Sequence, residues 1–405
     1  MSNSDSITFF YPSKIMGGAE FLFLRMASVL VDLYHVDVYY VDFRDGFAAN
    51  YAHRNSKINF IEQHAYSKTL LPSKTLVVAP LSSMFDVITQ LSGVDIKVFF
   101  WSIHPVGLEE FFTKLFRKLH IKFDTKDKTI LGGIIDLLIE KDSLYFMDEP
   151  NYSYQKAVFK FKSIEEKYLP IPLAEKHLTS NYISNPNINL AWVGRLSEDK
   201  IFSLINILNC CNDYLLANDN QKIVFHIIGD GPKRYLLESF ELNSNLQLIY
   251  RLDLSDSSLQ SYLKENIEVL FAMGTSALEG ASLKIATILV DFSYQPISTK
   301  YFRWLYEAKG FSLGNSHQEG QIYGTSFETI MEIIKKNNLG LYASKSYEYF
   351  SKNHSLESIT DKFLKILDAD PINLHTLKET KLKAYFWINK LRTIIQYLKF
   401  ICKKS

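Results

Sequence analysis

Short apolar runs alternate with helix-period segments along this chain, break off at a proline-rich stretch, and then resume. The first series contains ITFFY (7–11), VDVYYVD (36–42), INFIE (58–62), TLVVAP (75–80), KVFFWS (97–102) and SLYFMD (143–148). Each is short, rich in β-branched and aromatic residues, and bounded by turn formers, the signature of strands. Between the first two lies GAEFLFLRMASVLVDLY (18–34), apolar on most faces and expected to be a well-buried helix. Residues 168–187, YLPIPLAEKHLTSNYISNPN, carry three prolines and read as a linker. The second series is NLAWVG (189–194), KIVFHIIG (222–229), NLQLIY (245–250), IEVLFAM (267–273) and IATILVD (285–291), with a long helix over 201–218. Strand and helix in strict alternation predict doubly wound parallel sheets. Two series predict two α/β domains, as does a length of 405 residues, too long for one ordinary core.

Composition narrows the function classes. With 47% hydrophobic and 22% charged residues, the chain has the make-up of a folded protein rather than a disordered one. The formal net charge of +1 gives no global basic field, which argues against a nucleic-acid partner. Of three cysteines, Cys210 and Cys211 are neighbours in an expected helix and are poorly placed to bridge. No metal-ligand spacing is present, and a reducing, cytoplasmic setting fits. The first residues, MSNSDSITFF, lack the basic start and apolar core of a secretory signal, and no uncharged apolar run is long enough to span a bilayer.

In doubly wound sheets, ligands bind beyond the carboxyl ends of the strands. The residues that follow each strand are therefore the candidates. After the first strand come Gly17 and Gly18, a pair that admits close backbone approach to a ligand or simply makes a turn. After NLAWVG come Arg195 and Lys200. A guanidinium fork and an ammonium converging on one anion suit a diphosphate. Two solvated charges beside Glu198 and Asp199 are the alternative. Gly229-Asp230-Gly231-Pro232 resembles the start of a dinucleotide fingerprint, but Arg234 stands at the third glycine position, and a plain turn also fits. His104 follows KVFFWS directly and is placed for polar catalysis or for a structural hydrogen bond. Gly274-Thr275-Ser276, with Glu279 one turn on, fits a capping box in which Ser276 and Glu279 serve each other. It equally fits an anion on the free helix amides, with Glu279 on a sugar hydroxyl. Asp368-Ala369-Asp370 spells a metal–nucleotide motif but sits at an expected helix end before Pro371.

In order, GGAEFLFLRMASVL, AWVGRLSEDKIFSLI, FHIIGDGPKRYLLE and MGTSALEGASLKIATILVD resemble the GT-B glycosyltransferases, in particular retaining family 4 and its bacterial surface-polysaccharide branches. The resemblance covers residues 7 to about 365 and is most marked over 189–291. It implies two Rossmann-like doubly wound domains facing a cleft, with an acceptor-side domain over 1–172 and a nucleotide-sugar domain over 188–345. A C-terminal helix over 346–370, crossing back, and a basic amphipathic tail over 371–405 would follow. It implies transfer of a sugar from a nucleotide-diphospho-sugar to a saccharide or lipid-linked acceptor, with retention and without a metal or other cofactor. Arg195 and Lys200 would hold the donor diphosphate, Gly17, Gly18 and the Gly274–Ser276 amides would lie against it, Glu279 would bind the ribose, and His104 would meet the transferred sugar. Many members carry a second glutamate eight positions before the last, where it meets the donor sugar; here that position is Phe271. A nucleotide-sugar epimerase and a non-catalytic partner in a polysaccharide-assembly complex are the other readings.

Residues 381–405 contain seven basic side chains (Lys381, Lys383, Lys390, Arg392, Lys399, Lys403, Lys404) and no acid. Removing those seven charges from +1 leaves the remainder at −6. Wound as a helix, the stretch places Trp387, Ile388, Leu391, Ile394, Ile395, Leu398 and Ile401 on one face. That pattern fits a helix lying on an anionic membrane surface, making the protein peripheral on the inner face of the plasma membrane. A helix packed back on the N-terminal domain is the alternative.

Overall fold

The computed structural model describes residues 5–15, 17–52, 57–64, 68–118, 120–176, 186–252, 254, 256–318 and 324–385. The chain divides into two units, residues 1–170 with 359–405, and residues 171–358.

In the first unit, β1 (Ser6–Phe10), β2 (Val38–Asp42), β3 (Asn59–Glu62), β5 (Thr75–Pro80), β7 (Lys97–Ser102) and β8 (Leu144–Phe146) form one sheet in the order β3-β2-β1-β5-β7-β8. Two further short strands, β4 (Thr69–Leu70) and β6 (Leu91–Ser92), pair beside it. Every pairing in the main sheet is parallel. Counted within the sheet, the order is that of the dinucleotide-binding fold, and the direction of winding reverses between β1 and β5. Central strands of a doubly wound sheet are covered on both faces and read as near-continuous apolar runs, and all six residues of β5 are buried.

The second unit repeats this plan. Its strands are β9 (Ile188–Val193), β10 (Ile223–Ile228), β11 (Leu246–Arg251), β12 (Val269–Ala272), β13 (Ala286–Leu289), β14 (Tyr301–Trp304) and β15 (Thr325–Ser326), ordered β11-β10-β9-β12-β13-β14-β15. The first five are parallel; β14 and β15 are antiparallel additions at the edge. Winding reverses between β9 and β12. Trp192, Phe225 and Phe271 are fully buried in this sheet.

Two differences from the sequence-based expectation concern connections. The start of the proline-rich stretch is docked rather than loose. Leu173 N–H donates to the His354 carbonyl at 2.8 Å, and Leu356 N–H donates to the Leu173 carbonyl at 2.9 Å. Where one helix was expected over 346–370 there are two, Leu339–Asn353 and Leu356–Asp368, broken where Ser355 bridges to Leu173. The chain rejoins the first unit in the second of these helices, and Phe363 packs on Phe9 and Phe99. Beyond it, Ile372, Leu374, Leu377, Leu382 and Tyr385 are buried in the first unit's core. The amphipathic stretch past Tyr385 lies outside the described residues. No helix among the described residues is long and apolar enough to cross a membrane.

Candidate functional site

The second unit's switch point collects most of the candidate residues. Val193 of β9 and Ala272 of β12 are direct partners in neighbouring parallel strands. Their chains leave the sheet side by side, about 5 Å apart. Gly194-Arg195 leaves from β9 and Met273-Gly274 from β12. Arg195 is exposed, and Lys200 stands half-buried at the start of the Ile201–Ala217 helix. Neither side chain has a hydrogen-bond or ion-pair partner among the described residues. The adjacent acids turn elsewhere: Asp199 accepts from the Ser197 hydroxyl at 2.5 Å, and Glu198 faces Lys233 at 3.9 Å. The two cations are therefore not neutralised by the acids that flank them in sequence.

The glycines after β10 explain how the Arg195 loop is held. A Cβ on Gly229 would lie 2.5 Å from the Gly194 carbonyl oxygen, and one on Gly231 would lie 2.4 Å from that of Leu196. Gly229 also has φ +120°, closed to most side chains. With no Cβ in the way, the two loops lie backbone against backbone. Gly194 N–H donates to the Ile228 carbonyl, Leu196 N–H to that of Asp230 and Lys233 N–H to that of Leu196, each at 3.0 Å. The Gly-Asp-Gly sequence is thus a packing seam that holds the backbone of the Arg195 loop. Lys200 is braced from the other side. Ser293 N–H donates to the Asp199 carbonyl at 2.9 Å, and the Ser203 hydroxyl donates to the Asp291 carbonyl at 2.6 Å. The Asp291 carboxylate is itself gripped by Arg303 and by Asn315 N–H.

From β12 the chain turns through Gly274, at φ +62° and ψ −143°, directly into the Thr275–Ser282 helix. That backbone conformation is open to glycine and costly for any other residue. No side chain caps this helix. Gly274 N–H is taken by the Leu313 carbonyl at 2.6 Å, and Ala277 N–H by that of Gly274 at 3.1 Å. The amides of Thr275 and Ser276 have no partner among the described residues. The capping box that the spacing also fits is absent, because Gly274 occupies the cap position and Ser276 falls inside the helix. Glu279 does not turn back to Ser276; its carboxylate pairs with Lys176. Sequence reasoning missed Lys176, which lies in the stretch read as linker and carries no local signal. An uncapped helix N-terminus leaves amide donors and a partial positive charge that favour an anion.

Phe271 also has a structural explanation. It is fully buried in β12 and packs against Phe225, Phe302 and Phe327. Only Met273 and Gly274 separate β12 from the helix. Counting eight positions back from Glu279 therefore lands inside the strand, on a side chain that faces the core. At that spacing an acid would be buried among Phe225, Phe302 and Phe327.

The remaining candidates belong to the first unit, at the carboxyl ends of its strands. Gly17 is extended, at φ −152°, and precedes the Gly18–Asp32 helix. A Cβ on Gly18 would meet nothing within 4 Å, so packing does not demand glycine there. His104 is exposed just after β7, and its ring has no hydrogen-bond partner among the described residues. The Asp368-Ala369-Asp370 motif ends the Leu356–Asp368 helix in this unit, where Asp370 pairs with Lys97 at 2.6 Å. That bond and the Lys97 charge hold the Asp370 carboxyl below its usual range. Among the described residues no cluster of three or more His, Cys, Asp or Glu side chains is arranged to hold a metal ion.

No protein-family model matches the chain, and no curated protein matches it in sequence. Solved structures do match. A glycosyltransferase from Rickettsia africae superposes with TM-score 0.56 at 12% identity, over 90% of this chain and 98% of that one. The lipopolysaccharide outer core galactosyltransferase WaaB, in its apo form, superposes with TM-score 0.52 at 10% identity, over 90% and 99%. The fold is GT-B. The N-terminal domain of trehalose-6-phosphate phosphatase from Candida albicans matches comparably, with TM-score 0.52 at 11% identity, over 91% and 98%. GT-B architecture alone therefore does not assign a reaction. The reaction must be argued from the groups gathered at the β9–β12 switch point.

Proposed function

We propose that the protein is a glycosyltransferase that moves a sugar from a nucleotide-diphospho-sugar to a saccharide or lipid-linked acceptor of a surface polysaccharide, with retention of configuration. One observation carries this reading. Arg195 and Lys200, without partners among the described residues, follow β9, and the uncapped Thr275–Ser282 helix follows β12, its direct parallel neighbour. The difficult step in such a transfer is departure of a diphosphate from an oxocarbenium-like carbon. Fixed cations and amides placed where that charge develops lower the barrier and need no reorganisation during the reaction. Glu279 then takes the ribose, while Gly17, Gly18 and His104 take the parts that the family resemblance gives them. Names borne by the structural neighbours, a glycosyltransferase and a lipopolysaccharide galactosyltransferase, support the class. Phe271, which stands where a second acid would, is what favours a non-catalytic partner instead. A thermal-stabilisation screen of nucleotide-sugars, followed by turnover with the stabilising donor, decides between them. A donor at a hundredfold excess over its Kd adds about 2.7 kcal/mol. Binding without hydrolysis or transfer to any acceptor would favour the non-catalytic partner.

Because the cations are side chains, activity is expected to survive excess EDTA. Complete loss on chelation, restored by manganese, would refute the metal-independent reading.

We assign the basic C-terminal stretch to an anionic membrane surface. Where it begins, Tyr385 packs on Phe112 and Phe116. Arg117, Lys118, His120, Lys122 and Lys126 are exposed on two adjoining helices and the loop between them, with Asp124 exposed among them. Truncation should follow Tyr385 rather than Asp370, because Ile372, Leu374, Leu377 and Leu382 belong to the core. Full-length protein is expected to sediment with anionic vesicles at low salt several-fold more than the truncated chain. Equal sedimentation would remove this role.

A further inference from the structure

We infer that Lys176 is a positioning residue for donor binding: it orients the Glu279 carboxylate through one oxygen, leaving the other to the ribose. This rests on the reading of Glu279 as the ribose ligand. Lys176 comes from the stretch that enters the second unit, not from any strand end, and nothing in the resemblance points to it. The structure shows why it is held in place. Over residues 171–175 the segment is held at four points, three on the backbone and one on the Glu175 carboxylate. The Ile171 carbonyl accepts from Nδ1 of His354 at 3.0 Å, and Glu175 accepts from the Ser351 hydroxyl at 3.1 Å. The amide and carbonyl of Leu173 both bond to the turn around Ser355. Leu173 is buried in the cluster that also contains Ala272, Ala277, Leu278 and Ala281, so the segment lies against the Thr275–Ser282 helix. One residue beyond this anchored run, the Lys176 ammonium reaches Oε2 of Glu279.

The pairing has a chemical consequence. The two side chains are 16% and 23% exposed, so the pair is largely withdrawn from water. A carboxylate in that position is costly without a counter-charge, and a charged hydrogen bond fixes its direction. Lys176 occupies Oε2, and no group among the described residues bonds Oε1. A monodentate grip of this kind supplies what a diol-binding carboxylate requires, a fixed plane and a free acceptor.

The test uses the full chain and measures binding of UDP, GDP and ADP, each against its 2′,3′-dideoxy form, by calorimetry, together with donor KM and kcat. Lys176→Met is expected to weaken the best nucleotide about tenfold, raise donor KM and leave kcat within about twofold. Wild type is expected to prefer the ribose form over the dideoxy form, and Lys176→Met to lose most of that preference. Lys176→Arg should restore it, which a merely structural lysine would not require. Lys176→Gln is the second variant should methionine disturb folding, with melting temperature measured for each. If Glu279→Gln leaves nucleotide affinity unchanged, the ribose assignment itself fails. If Glu279→Gln weakens binding and the Lys176 variants do not, that assignment stands and the role of Lys176 is overturned. Tighter binding by Lys176→Met would also overturn it, since the lysine would then be a competitor for the carboxylate.

Discussion

Replacing Arg195 or Lys200 with alanine is expected to cut turnover by about 10²- to 10³-fold each, the cost of removing one preorganised donor to a developing anion. Both side chains lack partners among the described residues, so neither change should disturb the fold, and melting temperatures should match the parent protein. The effect should fall on kcat more than on donor KM, because the interaction strengthens as the diphosphate gains charge. Steady-state kinetics with the donor found by stabilisation screening is the measurement. Turnover within threefold of the parent for both variants would refute the diphosphate site. The two losses should also be less than additive in the double variant, since both cations act on one leaving group.

How far the sequence reveals this architecture follows from burial. TLVVAP and KVFFWS coincide with β5 and β7 residue for residue, because strands covered on both faces read as near-continuous apolar runs. The edge strands β14 and β15 carry no such signal: β14 is only four residues, YFRW, with Tyr301 exposed and Arg303 inside it. The docking of residues 171–176 was hidden for another reason. Prolines signal the loss of regular structure, but they say nothing about which surface an irregular segment packs on. Leu173 pairs with Ser355 across 182 positions, a relation that no local pattern encodes. The same gap separates Glu279 from Lys176. Sequence places Glu279 one turn into a helix and offers Ser276 as its partner by spacing alone. The fold moves the cap to Gly274, leaves the serine inside the helix, and supplies a lysine 103 positions away. Arg195 and Gly274, by contrast, could be placed together in advance, because both end strands in a doubly wound sheet and such sheets bring those ends together at the switch point.

Gly231→Ala is expected to disrupt the site by a methyl clash alone, without the backbone strain that a side chain at Gly229 would add. The new Cβ would lie 2.4 Å from the Leu196 carbonyl oxygen, 2.6 Å from its carbon and 2.8 Å from its nitrogen. These are backbone atoms, with no rotamer to change, and they are tied across the seam by the bonds of Leu196 to Asp230 and of Lys233 to Leu196. Relief requires the two loops to part, which breaks those bonds and displaces Arg195, one residue before Leu196. Overpacking of this kind costs about 1–3 kcal/mol, and the melting temperature should fall accordingly. Turnover should fall further than stability predicts at temperatures where the variant is fully folded, because Arg195 is retained but moved. Gly18→Ala is the matching control for stability. Its Cβ meets nothing within 4 Å at a helix's first position, where alanine is at least as favourable as glycine. Thermal melts of the two variants, with kinetics well below both transitions, separate the effects. A Gly231→Ala protein that melts and turns over like the parent would show that the seam can open without moving Arg195, and that the Gly-Asp-Gly turn does not fix the site.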